Sequence, residues 1–417
     1  MRLATSERLK APAGVKRKRA EAPSSHTVQF GDVLFHVVQE RHWAAMVKSA
    51  EARGESLTPI LHRPAQERLH VVIQKGRLFQ QEHPEVPVLL NKGRYLVIDA
   101  APEDVKRWDC GHRPCFAIRP VSDISTAFEI APAPTRRSPA LPWVQQLVDL
   151  LGRAPFEADL QKLVAFGTRF STSAKYKAAA KLVRDQLSQL GYQVRQQNIT
   201  VNGKASLNVI ADKVGRGPAP RRVVVVGAHL DSINQVGGPT APAPGADDDG
   251  SGSAGVLAIA RALKDHPAVH NLRLLLFGGE EEGLFGSKQY VASLSAAERT
   301  KVVAVIHMDM IACLNSPQPS VLLEGALLSK AVIDGLAAAA ATYTHLNVQT
   351  SLHPFNSDHV SFLNVGIPAV LTIEGTDDAN HNIHSDKDTL ATINVALALE
   401  ILRMNLATTA KLLGRAI

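Results

Sequence analysis

Four short apolar runs constrain this chain more than any other feature: "VVVV" at 223–226, "LRLLLF" at 272–277, "VVAVIH" at 302–307 and "PAVLTI" at 368–373. Each is the length of a strand and mostly apolar, as expected where both faces of a sheet are covered. Helical stretches separate them, among them "SGSAGVLAIARALKDH" and "SKAVIDGLAAAAATY". Buried strands alternating with helices imply an α/β fold with a mostly parallel central sheet flanked by helices. Upstream, "SAKYKAAAKLVRDQLSQLGYQV" spaces Tyr176, Ala180, Val183, Leu187 and Leu190 as one helical face, with Ser173 as a cap and Gly191 as a stop.

The remainder divides by composition. From His70 to Val121, "LHVVIQ", "VPVLLN", "RYLVID" and "CFAIRPV" are broken by turn residues and read as strands of a small β-rich domain. "APAPTRRSPALPW" at 131–143 is rich in Pro and Ala and reads as a linker in which Arg136 and Arg137 are exposed to proteases. The expected organisation is a basic disordered tail over 1–30, the β-rich domain over 31–130, the linker, and an α/β catalytic domain over 144–417.

Charge narrows the partners. The formal net charge of +7 is concentrated in the first twenty residues, which hold seven Arg or Lys against one Glu, so the body is near neutral. A near-neutral body offers no basic face for phosphates, and no apolar run approaches the ~20 residues that span a bilayer. Neither nucleic acid nor membrane is expected as a partner. "VKRKRAE" reads as a solvated end. The sequence shows no apolar segment with a small-residue cleavage site, which predicts a cytoplasmic protein, with secretion as the alternative. Three cysteines make no disulfide framework, and Cys110, His112 and Cys115 in "CGHRPC" read as a surface turn.

In open α/β sheets, ligands bind beyond the carboxyl ends of the strands. There the sequence places "VVVVGAHLDS" with His229 and Asp231, and "GADDDGSGSAG" with Asp247, Asp248 and Asp249. "LLLFGGEEEG" follows with Glu280, Glu281 and Glu282, then "VIHMDM" with Asp309 and "ANHNIHSDKDTL" with His381 and His384. Singly, each is an ordinary cap or loop residue. Together, two or more imidazoles with several carboxylates suit Zn²⁺, whereas Ca²⁺ or Mg²⁺ would not need the histidines.

Those five motifs, in this order and spacing, resemble the bacterial leucyl aminopeptidase family of zinc exopeptidases over about residues 145–417. The resemblance implies the zinc exopeptidase fold and two Zn²⁺ per chain bridged by Asp248, one also held by His229 and Asp309, the other by Glu281 and His384. It implies Glu280 as the general base that takes a proton from the attacking water and passes it to the leaving amine. Asp231 is implied as the carboxylate that orients His229, and Glu282 as an exposed residue at a helix start. The implied substrates are peptides with a free N-terminus, cut after a hydrophobic, leucine-like first residue. Met310 and Ile383 are candidate lining for that residue's side chain. "HPFNSDHVSF" carries Pro354 and Phe355 near where some relatives place a tyrosine and a cysteine pair, so their tyrosine-assisted oxyanion stabilisation is not carried over. Two other readings remain: a single-zinc glutaminyl cyclase on the same fold, disfavoured by His229 with Asp309, and a catalytically silent binding protein. Some relatives carry an N-terminal propeptide, which makes a covering role for residues 31–130 one expectation and a plain stabilising role the other.

Overall fold

The computed structural model describes residues 1–7, 25–108, 116–131 and 139–416, in two compact units, Met1–Ile130 and Ala131–Ile417. The basic run at 15–20, Cys110, His112, Cys115, Arg136 and Arg137 lie outside the described residues.

The N-terminal unit contains a four-stranded antiparallel sheet, Val88–Lys92, Tyr95–Asp99, Leu69–Gln74 and Phe116–Pro120, where the four runs predicted it. A second sheet was not anticipated. Arg2–Glu7 and Ser25–Phe30 both pair antiparallel with Val33–Val38, and Leu57–Ile60 pairs on the far side of Arg2–Glu7. Within the segment expected as a disordered tail, Arg2–Glu7 and Ser25–Phe30 are ordered as strands: Leu3, Ala4, Val28 and Phe30 are buried, and Ser6 meets His36 Nε2 at 2.8 Å. The charge of the first twenty residues hid the strand pattern of Arg2–Glu7.

The C-terminal unit is built on an eight-stranded sheet: β1 (Gln193–Val201), β2 (Lys204–Lys213), β3 (Val223–His229), β4 (Asn271–Phe277), β5 (Val302–Met308), β6 (Ser320–Gly325), β7 (Asn347–Ser351) and β8 (Ala369–Glu374). The spatial order is β1-β2-β4-β3-β5-β8-β6-β7. The central pairs β4–β3, β3–β5 and β5–β8 are parallel, as the four apolar runs predicted, and β6–β7 is parallel as well. β1–β2, β2–β4 and β8–β6 are antiparallel. β1 and β2 form a hairpin turned at Asn202 and Gly203, both with positive φ, which fits a two-residue turn matched to strand twist.

Helices cover the sheet: α1 (Pro142–Val148), α2 (Arg153–Val164), α3 (Ala174–Gln189), α4 (Gly252–Leu263), α5 (Phe285–Ser293), α6 (Lys330–Tyr343), α7 (His359–Leu363) and α8 (Val395–Leu413). α1 begins within the segment read as a linker, where Leu141 N donates to the Tyr343 hydroxyl at 3.0 Å and Val144 is fully buried. α3 starts as expected, the Ser173 hydroxyl accepting from Tyr176 N at 3.0 Å. Tyr176, Ala180, Val183 and Leu187 enter the main core with β2, β3, β4, α4 and α8. Among the described residues no helix is long and apolar enough to cross a membrane. The carboxyl ends of β3, β4, β5 and β8 share one edge of this sheet.

Candidate active site

β3 ends on His229, whose side chain is fully buried. Its Nε2 lies 3.0 Å from Asp248 Oδ1, 3.6 Å from Asp309 Oδ1 and 3.9 Å from Glu280 Oε2. On the other side of Asp248, His384 Nε2 lies 3.1 Å from Asp248 Oδ2 and 3.0 Å from Glu281 Oε2. Two groups of potential ligands result, His229 with Asp248 and Asp309, and Asp248 with Glu281 and His384, and they share Asp248. His381, the other histidine of that loop, belongs to neither group.

The three adjacent aspartates divide their work by direction. Asp247 accepts from Ala312 N at 2.9 Å and from Asn380 Nδ2 at 2.9 Å. Asp249 accepts from His229 N at 3.0 Å, Gly252 N at 2.9 Å and Met310 N at 3.3 Å. The outer acids thus tie the loop to its surroundings, and the middle one faces both histidines. The loop can turn this tightly because Gly245 takes φ +54°. A Cβ there would meet Asp248 O and Ser232 Cβ at 2.5 Å.

Glu280 and Glu281 are aimed by one buried carboxylate: Asp231 Oδ1 accepts from Glu280 N at 3.3 Å and Oδ2 from Glu281 N at 3.2 Å. Asp231 also faces His229 Nδ1, at 3.7 Å, too far for a hydrogen bond. It therefore positions the glutamate turn directly and the imidazole only electrostatically. Glu282 departs from its expected exposed position. Gly279 and Gly283, both with positive φ, close a turn ahead of α5, and Glu282 folds back to accept from Ser171 Oγ at 2.6 Å. Burial, reinforced by Asp231, pushes its carboxyl up to about 9.

Met310 also departs from the expected lining role. It has no exposed surface and packs with Leu322, Leu371 and Ile373, with Ile383 resting on the group half-buried. Of the two, only Ile383 keeps surface that a substrate could touch. Phe355 is buried as well, and its N–H donates to Glu324 Oε1 at 2.8 Å.

The donor set fits zinc. Neither ring nitrogen of His229 or His384 completes a hydrogen bond, although each Nε2 looks at carboxylate oxygens. Burial disfavours charge on both rings, yet the surrounding carboxylates outweigh it and hold each well above an ordinary imidazole value. A field that strongly favours a proton at these nitrogens equally favours a divalent cation between them and the carboxylates.

Several contributors were not singled out from the sequence. Ser357 Oγ donates to Asp309 Oδ2 at 2.8 Å. Asp388 accepts from Asp247 N and Asp248 N, both at 2.9 Å, so the loop bearing His384 grips the loop bearing Asp248. Burial pushes Asp388 up to about 8 and Asp247 up to about 7. The Pro- and Gly-rich segment at 234–246 touches the same region, Gln235 N donating to His384 O at 3.0 Å.

Residues 208–409, the stretch that contains all these ligand candidates, match the model of peptidase family M28. Over that stretch the chain is similar to peptidase family M28. The relatives that this stretch resembles include leucine aminopeptidases. Leupeptin-inactivating enzyme 1 of Streptomyces exfoliatus is 35% identical over 221 residues, 51% of this chain but only 45% of that protein's length. Leucine aminopeptidase 1 of Arthroderma otae is 29% identical over 277 residues, 59% of this chain and 70% of its own. A zinc aminopeptidase from Bacillus subtilis shares the fold, with a TM-score of 0.54 at 17% identity, over 68% of this chain and 96% of its own.

Proposed function

We propose that the protein is a zinc-dependent aminopeptidase that removes hydrophobic, leucine-like residues from the free N-terminus of peptides, with two zinc ions that His229, Asp309, Glu281 and His384 would hold together with the shared Asp248. The observation that carries this reading is the division of Asp248 between two histidines, one oxygen at 3.0 Å from His229 and the other at 3.1 Å from His384. On this reading His229 and Asp309 complete one site, and Glu281 and His384 the other.

Zinc so held would supply Lewis acidity, polarising a peptide carbonyl and making water a better acid. Glu280 has the task of moving the proton. It is nearly buried, its backbone is fixed by Asp231, and its carboxylate turns toward the His229 group without being needed to complete it. A carboxylate in that place takes the water proton and returns it to the leaving amine. Ser357 keeps one oxygen of Asp309 engaged, leaving the other toward His229. Ile383 is the apolar surface offered to the substrate's first side chain.

Hydrolysis of a leucyl anilide before and after chelation, and after zinc is returned, tests this reading. Activity lost to the chelator and regained with zinc is expected. Turnover unchanged by chelation contradicts it, and cyclisation of an N-terminal glutaminyl peptide in place of hydrolysis would favour the glutaminyl cyclase reading.

A further inference from the structure

Arg169 sits in the loop between α2 and α3 and has no exposed surface. Its guanidinium donates only to backbone carbonyls: Nε to Leu230 O at 2.7 Å, Nη1 to Pro244 O at 2.6 Å and Leu163 O at 3.4 Å, and Nη2 to Gly245 O at 2.9 Å. Among the described residues no carboxylate lies within ion-pair distance of it. A buried guanidinium without a direct counter-ion is costly, and carbonyl dipoles offset only part of that cost.

The balance comes from the metal centre. The charges that act on Arg169 are Asp388, Asp249, Asp231 and Asp248, all buried. Three of the four carbonyls it grips belong to the two loops that carry candidate ligands, Leu230 following His229, and Pro244 and Gly245 preceding Asp248, while Leu163 belongs to α2. The cation is therefore held by four hydrogen bonds beside the loops that carry His229 and Asp248.

We propose that Arg169 is the resident counter-charge of this centre, a positioning residue that lets the buried carboxylates gather before metal arrives. The proposal rests on the reading of the two ligand groups as zinc sites. Zinc and Arg169 are then two cations of one buried acidic cluster, with Asp248 common to both. Coupling between them is repulsive and reciprocal: the residue matters most to the metal-free chain, and removing its charge tightens zinc binding to the folded chain.

The test compares Arg169→Lys, which keeps the charge, with Arg169→Gln, which keeps an amide donor and drops it. Melting temperatures are read with chelator and with zinc, alongside zinc affinity by chelator competition. With chelator, Arg169→Gln should melt well below Arg169→Lys; with zinc the gap should close, and zinc should bind Arg169→Gln tighter by about tenfold. A glutamine variant that folds only with zinc is the same result in extreme form. Equal losses for the two variants with and without zinc would overturn the proposal, as would weaker zinc binding by Arg169→Gln or failure of both variants to fold even with zinc. A native chain whose melting ignores zinc would instead reject the zinc reading itself.

Discussion

Asp248 places one carboxylate oxygen 3.0 Å from His229 Nε2 and the other 3.1 Å from His384 Nε2. A side chain shared in this way makes the two halves of the site interdependent, and substitutions should divide accordingly. Asp248→Ala should lose both zinc ions, whereas Asp309→Ala or Glu281→Ala should lose one. Metal analysis after gel filtration reads this directly. An Asp248→Ala chain that still holds two zincs would exclude the bridge.

Glu280 and Glu281 are neighbours with different tasks. Glu280→Gln should retain zinc and lower kcat by about 1,000-fold, because it removes a proton carrier and spares every ligand candidate. Glu281→Gln should lose zinc instead. Reversal of the two phenotypes would move the assignment by one residue.

His266 offers a pH dependence away from the metal site. It is buried, stacks on Trp143 with ring centroids 5.5 Å apart, and meets Gly414 O at 2.9 Å. Burial lowers its pKa below the free imidazole value, with Lys213 and Arg415 adding to the effect and the Gly414 contact opposing it. The unfolded chain therefore binds this proton more readily, so the stability tied to neutral His266 is present above about pH 6.5 and is lost as pH falls below it. The metal-free chain should melt lower at about pH 5.5 than at about pH 7.5, and His266→Gln should flatten that slope. An identical slope in the variant would assign the effect elsewhere.

The Ser173 cap sets the start of α3, whose Tyr176 and Val183 lie in the main core. Ser173→Ala should cost about 1 kcal/mol in chemical denaturation without altering zinc content. No loss of stability would mean that core packing alone sets the helix start.

The central strands were legible because β3, β4, β5 and β8 are covered on both faces and so read as mostly apolar runs, with the ligand candidates at or just beyond their ends. The β1–β2 hairpin was harder to see. β1, "QVRQQNITV", is an outer strand with mostly polar side chains, although its Asn202-Gly203 turn was a signal available in the sequence. Arg2–Glu7 was masked by the charge of the residues beside it. At the site, residue types and order pointed to the groups around His229 and His384, but not to the direction of Glu282, which depends on a turn closed by two glycines. Met310 shows the opposite limit: an apolar residue beside a ligand can belong to a small core beneath the site as easily as to its wall. Arg169 and Asp388 left little trace, because one arginine in a loop and one aspartate in a polar segment gain their meaning only from what the fold brings around them.

Diffraction at the zinc absorption edge from crystals of the zinc-loaded chain tests the central claim most directly. Two anomalous peaks are expected beside Asp248, one among His229, Asp248 and Asp309 and the other among Asp248, Glu281 and His384. A single peak, or a metal lodged instead among Asp247, Cys313 and Glu374, the third group of potential ligands among the described residues, would contradict that claim.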